Sequence, residues 1–323
     1  MASKQLRCLP TLDLTSENLK PDSSSWIATC DDVRNALEEY GCFVAIYDQI
    51  SSELSSAMVT CLTDLLSLPT ETKVQNLSSN KYFGHVAPNT LFPLYESIGI
   101  KGVNTPEGTR TFTDLMWPSG NDDFRKTLLW YAKQASELEQ LIKRMVFQSY
   151  GVLRSCDSHL DDDAYSYTLR GTKYTSPKLN ESNIGLQIHT DKTFLTVLEQ
   201  NEVNGLEVET KNGEWIAFEN KPSSFVIIAG DAFMAWSNGR IHTPYHRVVM
   251  HAGSKVRYSI TIKSYKNGMV QTPEELVDDE HPLQFEDFDH LGYTKLSNIA
   301  DQGSPHERFA KYYSQLLAKP IKI

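Results

Sequence analysis

The chain has 323 residues, 40% hydrophobic and 22% charged, with 31 Lys and Arg against 41 Asp and Glu for a formal net charge of −10. This balance supports a sizeable core, excludes wholesale disorder, and argues against a nucleic-acid-binding face or adsorption to anionic membranes. No apolar run approaches the length of a membrane-spanning helix. In chain order, residues 31–40 predict a first helix, with Val33, Ala36, Leu37 and Tyr40 at helical spacing and Gly41 as its stop. Residues 42–46 read as a short buried strand, and residues 55–68 as a second amphipathic helix halted by Pro69. Residues 80–120 are rich in aromatics, Gly and Pro without firm period, which predicts a loop-rich lid or binding region. The clearest helix is predicted over residues 123–150, capped by Asn121 or Asp122, with Leu128, Tyr131, Ala135, Leu138, Ile142 and Met145 on one stripe.

From Tyr167 the pattern changes to short β-branched runs between Gly and Asn turn signals. Eight strands are expected, at 185–189, 194–199, 205–210, 214–218, 224–230, 232–237, 246–251 and 256–263, with a hairpin turn at Lys211-Asn212-Gly213. That spacing implies a sandwich, jelly roll or barrel. A final amphipathic helix is expected over 306–317. The five cysteines (Cys8, Cys30, Cys42, Cys61, Cys156) are scattered and odd in number, and the first seven residues lack the apolar stretch of a signal peptide. A cytoplasmic protein with reduced thiols is the expectation.

The chemistry concentrates in three places. His189 and Asp191 stand two apart at the end of a predicted strand, so alternation sends both side chains to one face. Two ligands from one strand cannot close a site, and His246, at the start of a later strand, is the candidate third. Two imidazoles and one carboxylate on one face of a metal form the triad of non-haem Fe(II) oxygenases. Arg257 and Ser259 then share a face of a strand otherwise built for burial. A buried arginine is costly unless it meets an anion, and its planar fork suits a carboxylate. Pairing with a protein Asp or Glu is the alternative. A zinc hydrolase could also use two His and one Asp, but Arg257 and Ser259 have no role in that scheme.

The combined pattern resembles the plant 2-oxoglutarate/Fe(II)-dependent dioxygenase family: His189-x-Asp191, His246 after 54 intervening residues, and Arg257-x-Ser259 after ten more. The segments Gly185–Asp191, Gly205–Val208, Ser237–Arg240, Leu9–Leu14 and Pro273–Asp278 are similar too, so the resemblance spans essentially the whole chain. Leu94–Ile100 and Lys173–Pro177 look most like the AOP-type branch, with the auxin-oxidising dioxygenases less close.

The resemblance implies a mainly β fold with surrounding helices, built on a double-stranded β-helix (jelly-roll) core. One domain, 1–323, is expected in three parts: a helix-rich 1–165, the core with the metal site over 166–265, and a C-terminal segment and helix over 266–323. It further implies Fe(II) on His189, Asp191 and His246, with 2-oxoglutarate and O2 as co-substrates. Arg257, Ser259 and Tyr174 would receive the distal carboxylate of 2-oxoglutarate. Thr172 stands where many members have Asn, a departure beside that site. The implied function is oxidation of a small-molecule plant specialised metabolite by hydroxylation, desaturation, ring formation or dealkylation, with release of succinate and CO2. Asp191 is present where halogenating relatives carry a small residue, which disfavours halogenation. The rival is a catalytically silent small-molecule-binding protein on the same fold, and a monomer is expected. Lys263, on the face of Arg257, and Arg170 are expected to hold an anionic or carbonyl-bearing substrate, against Lys263 simply reaching solvent. Phe112 is expected to wall the pocket, against simple core packing.

Overall fold

The computed structural model describes residues 8–15, 19, 23–77, 83–153, 161–295 and 303–317. The expectations for the first seven residues and Cys156 lie outside them. The first half contains β1 (Thr11–Asp13), α1 (Ser24–Glu39), β2 (Cys42–Ile46), α2 (Ser52–Ser67), α3 (Thr70–Lys73), β3 (His85–Val86), β4 (Tyr95–Lys101), α4 (Pro106–Met116) and α5 (Asp122–Ser149). The strand-rich part follows with β5 (Tyr165–Tyr174), β6 (Ile184–His189), β7 (Leu195–Gln200), β8 (Leu206–Glu209), β9 (Trp215–Ala217) and β10 (Ser224–Ala229). Then come α6 (Asp231–Trp236), β11 (His246–Val249), β12 (Arg257–Lys266), β13 (Met269–Val270), β14 (Phe288–Asp289), α7 (His290–Lys295) and α8 (Pro305–Leu317).

Two departures from the sequence pattern have clear causes. The expected loop at 80–120 contains β4 and α4. Helix α4 begins where Thr105 Oγ1 accepts the Gly108 N–H at 3.1 Å and Pro106 occupies the first turn. The strand expected at 232–237 is instead α6. All six α6 residues are buried, so neither a strand nor a helix period is visible in them. Gly230 precedes α6, and a Cβ there would stand 2.0 Å from the Thr193 carbonyl oxygen, so the chain turns against that backbone only with glycine.

The main sheet has eight strands in the order β1-β2-β10-β7-β12-β5-β4-β3, and a smaller sheet has the order β6-β11-β8-β9. The first half thus supplies four strands to the main sheet, and the core is not confined to 166–265. Alternation gives the main sheet two different faces. Its outer face presents Ile98, Tyr167, Leu169, Ile260, Ile262, Val197 and Ile227 to the stripes of α1, α2, α4 and α5. Leu128, Leu138, Ile142 and Phe147 of the 28-residue α5 are fully buried there, and each contributes about 1.5–3 kcal/mol. The inner face meets the smaller sheet through Val44, Leu198, Val226 and Ile228 against Leu206, Val208 and Ile216. A separate apolar group joins Tyr95 and Tyr174 to Val248 and Met250. The polar residues of β12 lie on this same inner face, between the strands that supply the two groups.

Candidate active site

β6 ends at His189 and β11 starts at His246, and the antiparallel register pairs these two residues directly, with ring centroids 4.2 Å apart. Asp191 follows in the turn after β6. One donor atom from each of His189, Asp191 and His246 lies within 4.8 Å of the others. The Nδ1 of His189 donates to the Gln187 carbonyl at 2.9 Å, and that of His246 to the Pro244 carbonyl at 3.2 Å. Each ring therefore keeps Nε2 as its lone-pair donor, the tautomer that metal binding requires. Burial, with His189 close by, pushes the His246 imidazole down to about 3, so it is neutral and ready to ligate. Burial alone would raise the Asp191 carboxyl, but the Lys263 ammonium and the two imidazoles outweigh it and hold it far below the usual carboxylate range.

Asp191 is fixed on every side. Its Oδ2 accepts Thr196 Oγ1 at 2.6 Å and its Oδ1 accepts Lys263 Nζ at 2.7 Å. Its carbonyl accepts the Asp231 N–H at 2.7 Å. The Asp231 carboxylate in turn accepts Thr190 Oγ1 at 2.9 Å, Tyr293 Oη at 2.8 Å, and Arg308 through Nε at 3.1 Å and Nη2 at 2.8 Å. Arg308 also donates to Thr190, between the two ligands. The last helix thereby holds the metal turn from behind.

The register of β4, β5, β12 and β7 stacks the inner-face residues into rungs. Tyr95, Tyr174 and Arg257 form the first, Ser97, Thr172, Ser259 and Gln200 the second. Gly99, Arg170, Thr261 and Leu198 form the third, and Lys101, Thr168, Lys263 and Thr196 the fourth. Arg257 is 0% exposed. Its Nε and Nη2 donate to Gln200 Oε1 at 3.2 and 2.7 Å, its guanidinium lies 4.9 Å from the Tyr174 ring centre, and its buried Nη1 has no hydrogen-bond partner. Among the described residues no carboxylate pairs with Arg257. A Cβ on Gly205 would stand 3.2 Å from Arg257 Cδ, so glycine there makes room for the side chain. Burial pushes the Tyr174 phenol up, opposed by Arg257, which keeps it a neutral hydrogen-bonding group.

The fold therefore brings His189, Asp191 and His246 together and lines Tyr174, Arg257 and Ser259 along two adjoining rungs. Arg170 sits one rung further, with Nη1 donating to Ser97 Oγ at 2.6 Å. Lys263 does not reach for solvent but ends on Asp191. Phe112 is a correction: it lies on the buried side of α4, its ring 6.1 Å from Phe124, within the helix-side core. That core covers the outer face of the main sheet, opposite the triad, because the apolar stripe of α4 packs on α5. Sequence reasoning missed Gln200, Thr196, Asp231 and Arg308. The parity of β7 could have flagged Thr196 and Gln200; nothing local marks Arg308.

An orphaned buried guanidinium nitrogen fits a ligand carboxylate, and a set of two imidazoles and one carboxylate fits Fe(II). Comparison with known proteins agrees. The 2OG-Fe(II) oxygenase superfamily model matches residues 153–264, and the model for the N-terminal region of non-haem dioxygenases in morphine synthesis matches residues 9–91. The "Probable 2-oxoglutarate-dependent dioxygenase AOP1" of Arabidopsis thaliana is 41% identical over 292 residues, covering 88% of this chain and 95% of that protein. The rice dioxygenase for auxin oxidation aligns with a TM-score of 0.78 at 28% identity, over 94% of this chain and 99% of that one. Its Arabidopsis thaliana counterpart, solved with 2-oxoglutarate, aligns with a TM-score of 0.75 at 31% identity, over 85% and 99%.

Fold and site together define a non-haem iron oxygenase with a jelly-roll core. The chain belongs to the 2-oxoglutarate-dependent dioxygenase family, and Fe(II) and 2-oxoglutarate are its cofactor and co-substrate.

Proposed function

We propose that in this dioxygenase His189, Asp191 and His246 hold Fe(II), and that Arg257, Ser259 and Tyr174 receive the distal carboxylate of 2-oxoglutarate. Lys263 and Arg170 face an anionic or carbonyl-bearing metabolite. The observation that carries this reading is Arg257: a wholly buried guanidinium with a neutral amide for company and one nitrogen unpartnered. When bound, iron and 2-oxoglutarate supply the oxidising power drawn from O2, with release of succinate and CO2.

The chain's own residues position and shield. The backbone carbonyls of Gln187 and Pro244 aim both imidazoles. Thr196 holds Asp191 Oδ2 and Lys263 its Oδ1, which fixes the carboxylate beside the two imidazoles that would share the metal with it. The apolar group of Tyr95, Tyr174, Val248 and Met250 keeps water from the guanidinium and strengthens its hold on an anion. Substrate placement then selects hydroxylation, desaturation, ring formation or dealkylation. The described cysteines are free, which supports a reducing compartment such as the cytoplasm. Anaerobic addition of Fe(II) and 2-oxoglutarate should produce a visible metal-to-ligand charge-transfer band that His189→Ala abolishes. A wild-type spectrum identical to that of the metal-free protein would overturn the assignment.

A further inference from the structure

Gln200 and Arg257 meet from neighbouring strands on the inner face of the main sheet. β7 ends at Gln200, which pairs with Ser259, two residues beyond Arg257 on β12, and Gln200 is 4% exposed. Its Oε1 accepts Arg257 Nε at 3.2 Å and Nη2 at 2.7 Å, so both lone pairs of that oxygen are engaged. The other end of the amide is held as well. Gln200 Nε2 donates to Asn204 Oδ1 at 3.2 Å, and the same oxygen accepts the Asn220 backbone N–H at 3.1 Å.

This relay has a direction. A backbone N–H can only donate, so the Asn204 atom facing Asn220 is its oxygen. The Gln200 atom facing that oxygen is therefore the NH2 group, and Oε1 is turned onto the guanidinium. The contact takes up the Nε–Nη2 edge and leaves Nη1, on the other side of the fork, without a partner among the described residues. The amide does this without charge, and the ionisable group facing Arg257 is the neutral phenol of Tyr174. A glutamate at 200 would match the length and shape of the glutamine. It would also neutralise the cation and set a carboxylate oxygen against Asn204 Oδ1. Charges act on one another several times more strongly in a protein interior than in water, so the uncompensated guanidinium is what gives the site its hold on an anion.

We propose that Gln200 is a positioning residue that makes the co-substrate site selective for a 2-oxo acid with a second carboxylate, because it aims the guanidinium of Arg257 and leaves its charge whole. This rests on Arg257 receiving the distal carboxylate of 2-oxoglutarate.

The test compares 2-oxoglutarate with 2-oxopentanoate, which has a methyl group in place of the distal carboxylate, in anaerobic charge-transfer titrations of the Fe(II)-loaded protein. The wild type should favour 2-oxoglutarate by at least about a hundredfold. Gln200→Glu should weaken 2-oxoglutarate about a hundredfold while 2-oxopentanoate stays within about threefold, which erases the preference. Gln200→Met removes the acceptor but adds no charge, and should weaken 2-oxoglutarate about tenfold while a preference for it remains. Mn(II) affinity, read by electron paramagnetic resonance without co-substrate, should be unchanged in both variants. A wild type without the band overturns the iron and 2-oxoglutarate reading itself, and one that takes both acids equally removes Arg257 from the co-substrate site. A wild type with band and preference, whose Gln200→Glu variant keeps that preference or loses Mn(II) affinity alongside it, overturns the role of Gln200. Should Gln200→Glu fail to fold, wild-type 2-oxoglutarate affinity in Gln200→Met overturns it equally.

Discussion

Two arginines are buried in this molecule in very different company. Arg308 is 3% exposed and meets the Asp231 carboxylate through Nε and Nη2, within a group that also holds Tyr293 and Thr190. Arg257 is 0% exposed and meets one neutral amide oxygen, with Nη1 left over. Removing a guanidinium from water costs roughly several kcal/mol in either place. Around Arg308 the fold supplies the compensating charge; around Arg257 it does not. A buried cation that the fold neutralises is structural, and one left without a carboxylate is complementary to an anion from outside.

The contrast can be broken by replacing each arginine with methionine. Arg308→Met strands a buried carboxylate and should destabilise the protein by about 3–5 kcal/mol in urea unfolding. In the fraction still folded, Mn(II) affinity followed by electron paramagnetic resonance should fall about 10–100-fold, because the support behind Thr190 and Asp191 is lost. Unchanged affinity would separate α8 from the metal turn. Arg257→Met should act the other way on stability, leaving the unfolding midpoint of the ligand-free protein unchanged or higher. Its 2-oxoglutarate affinity, read from the charge-transfer titration, should drop by about two orders of magnitude. A stability loss matching that of Arg308→Met would erase the distinction.

The smallest effect concerns His290, at the start of α7 behind the metal turn. Its Nδ1 accepts the Lys266 N–H and its Nε2 donates to the Lys192 carbonyl, both at 2.8 Å. Burial pushes this imidazole down to about 4. The unfolded chain takes up the proton near pH 6.5, roughly the ordinary histidine value. Between those limits the unfolded state binds more protons, so stability is full above pH 6.5 and falls as pH drops toward 4. The slope is at most about 1.4 kcal/mol per pH unit. Unfolding midpoints at several pH values across that window should show it in wild type, and His290→Gln should make the slope shallower, with His242 and His246, also pushed down by burial, supplying the rest.

The legible part of the site was the part written within single strands. His189 follows from strand parity with Asp191 two residues on, in the turn after β6; Arg257 and Ser259 follow from parity on β12, and Tyr174 faces Arg257 because the two strands pair in register. The α5 stripe was equally plain, since 28 residues repeat one period. Residues 95–101 and 106–116 were less so: β4 is buried at most of its positions, and a short capped helix in aromatic-rich chain offers few turns of periodicity. Phe112 illustrates the limit. Its apolar character and neighbourhood were readable, but which face of the main sheet its helix would cover was not.

What the sequence by itself determined is therefore the chemistry on offer: two imidazoles and a guanidinium at strand positions whose parity points them inward, and a carboxylate two residues past the first of them. Only the tertiary structure decided who meets whom. Lys263 reaches Asp191 across 72 residues of sequence, and Arg308 reaches Thr190 across 118. Gln200 lies 57 residues before the guanidinium it contacts. Local rules act over one strand or one helical turn, while the pairing of charges in a low-dielectric interior depends on which strands become neighbours. That ordering of strands tells the neutralised arginine from the one that awaits a ligand.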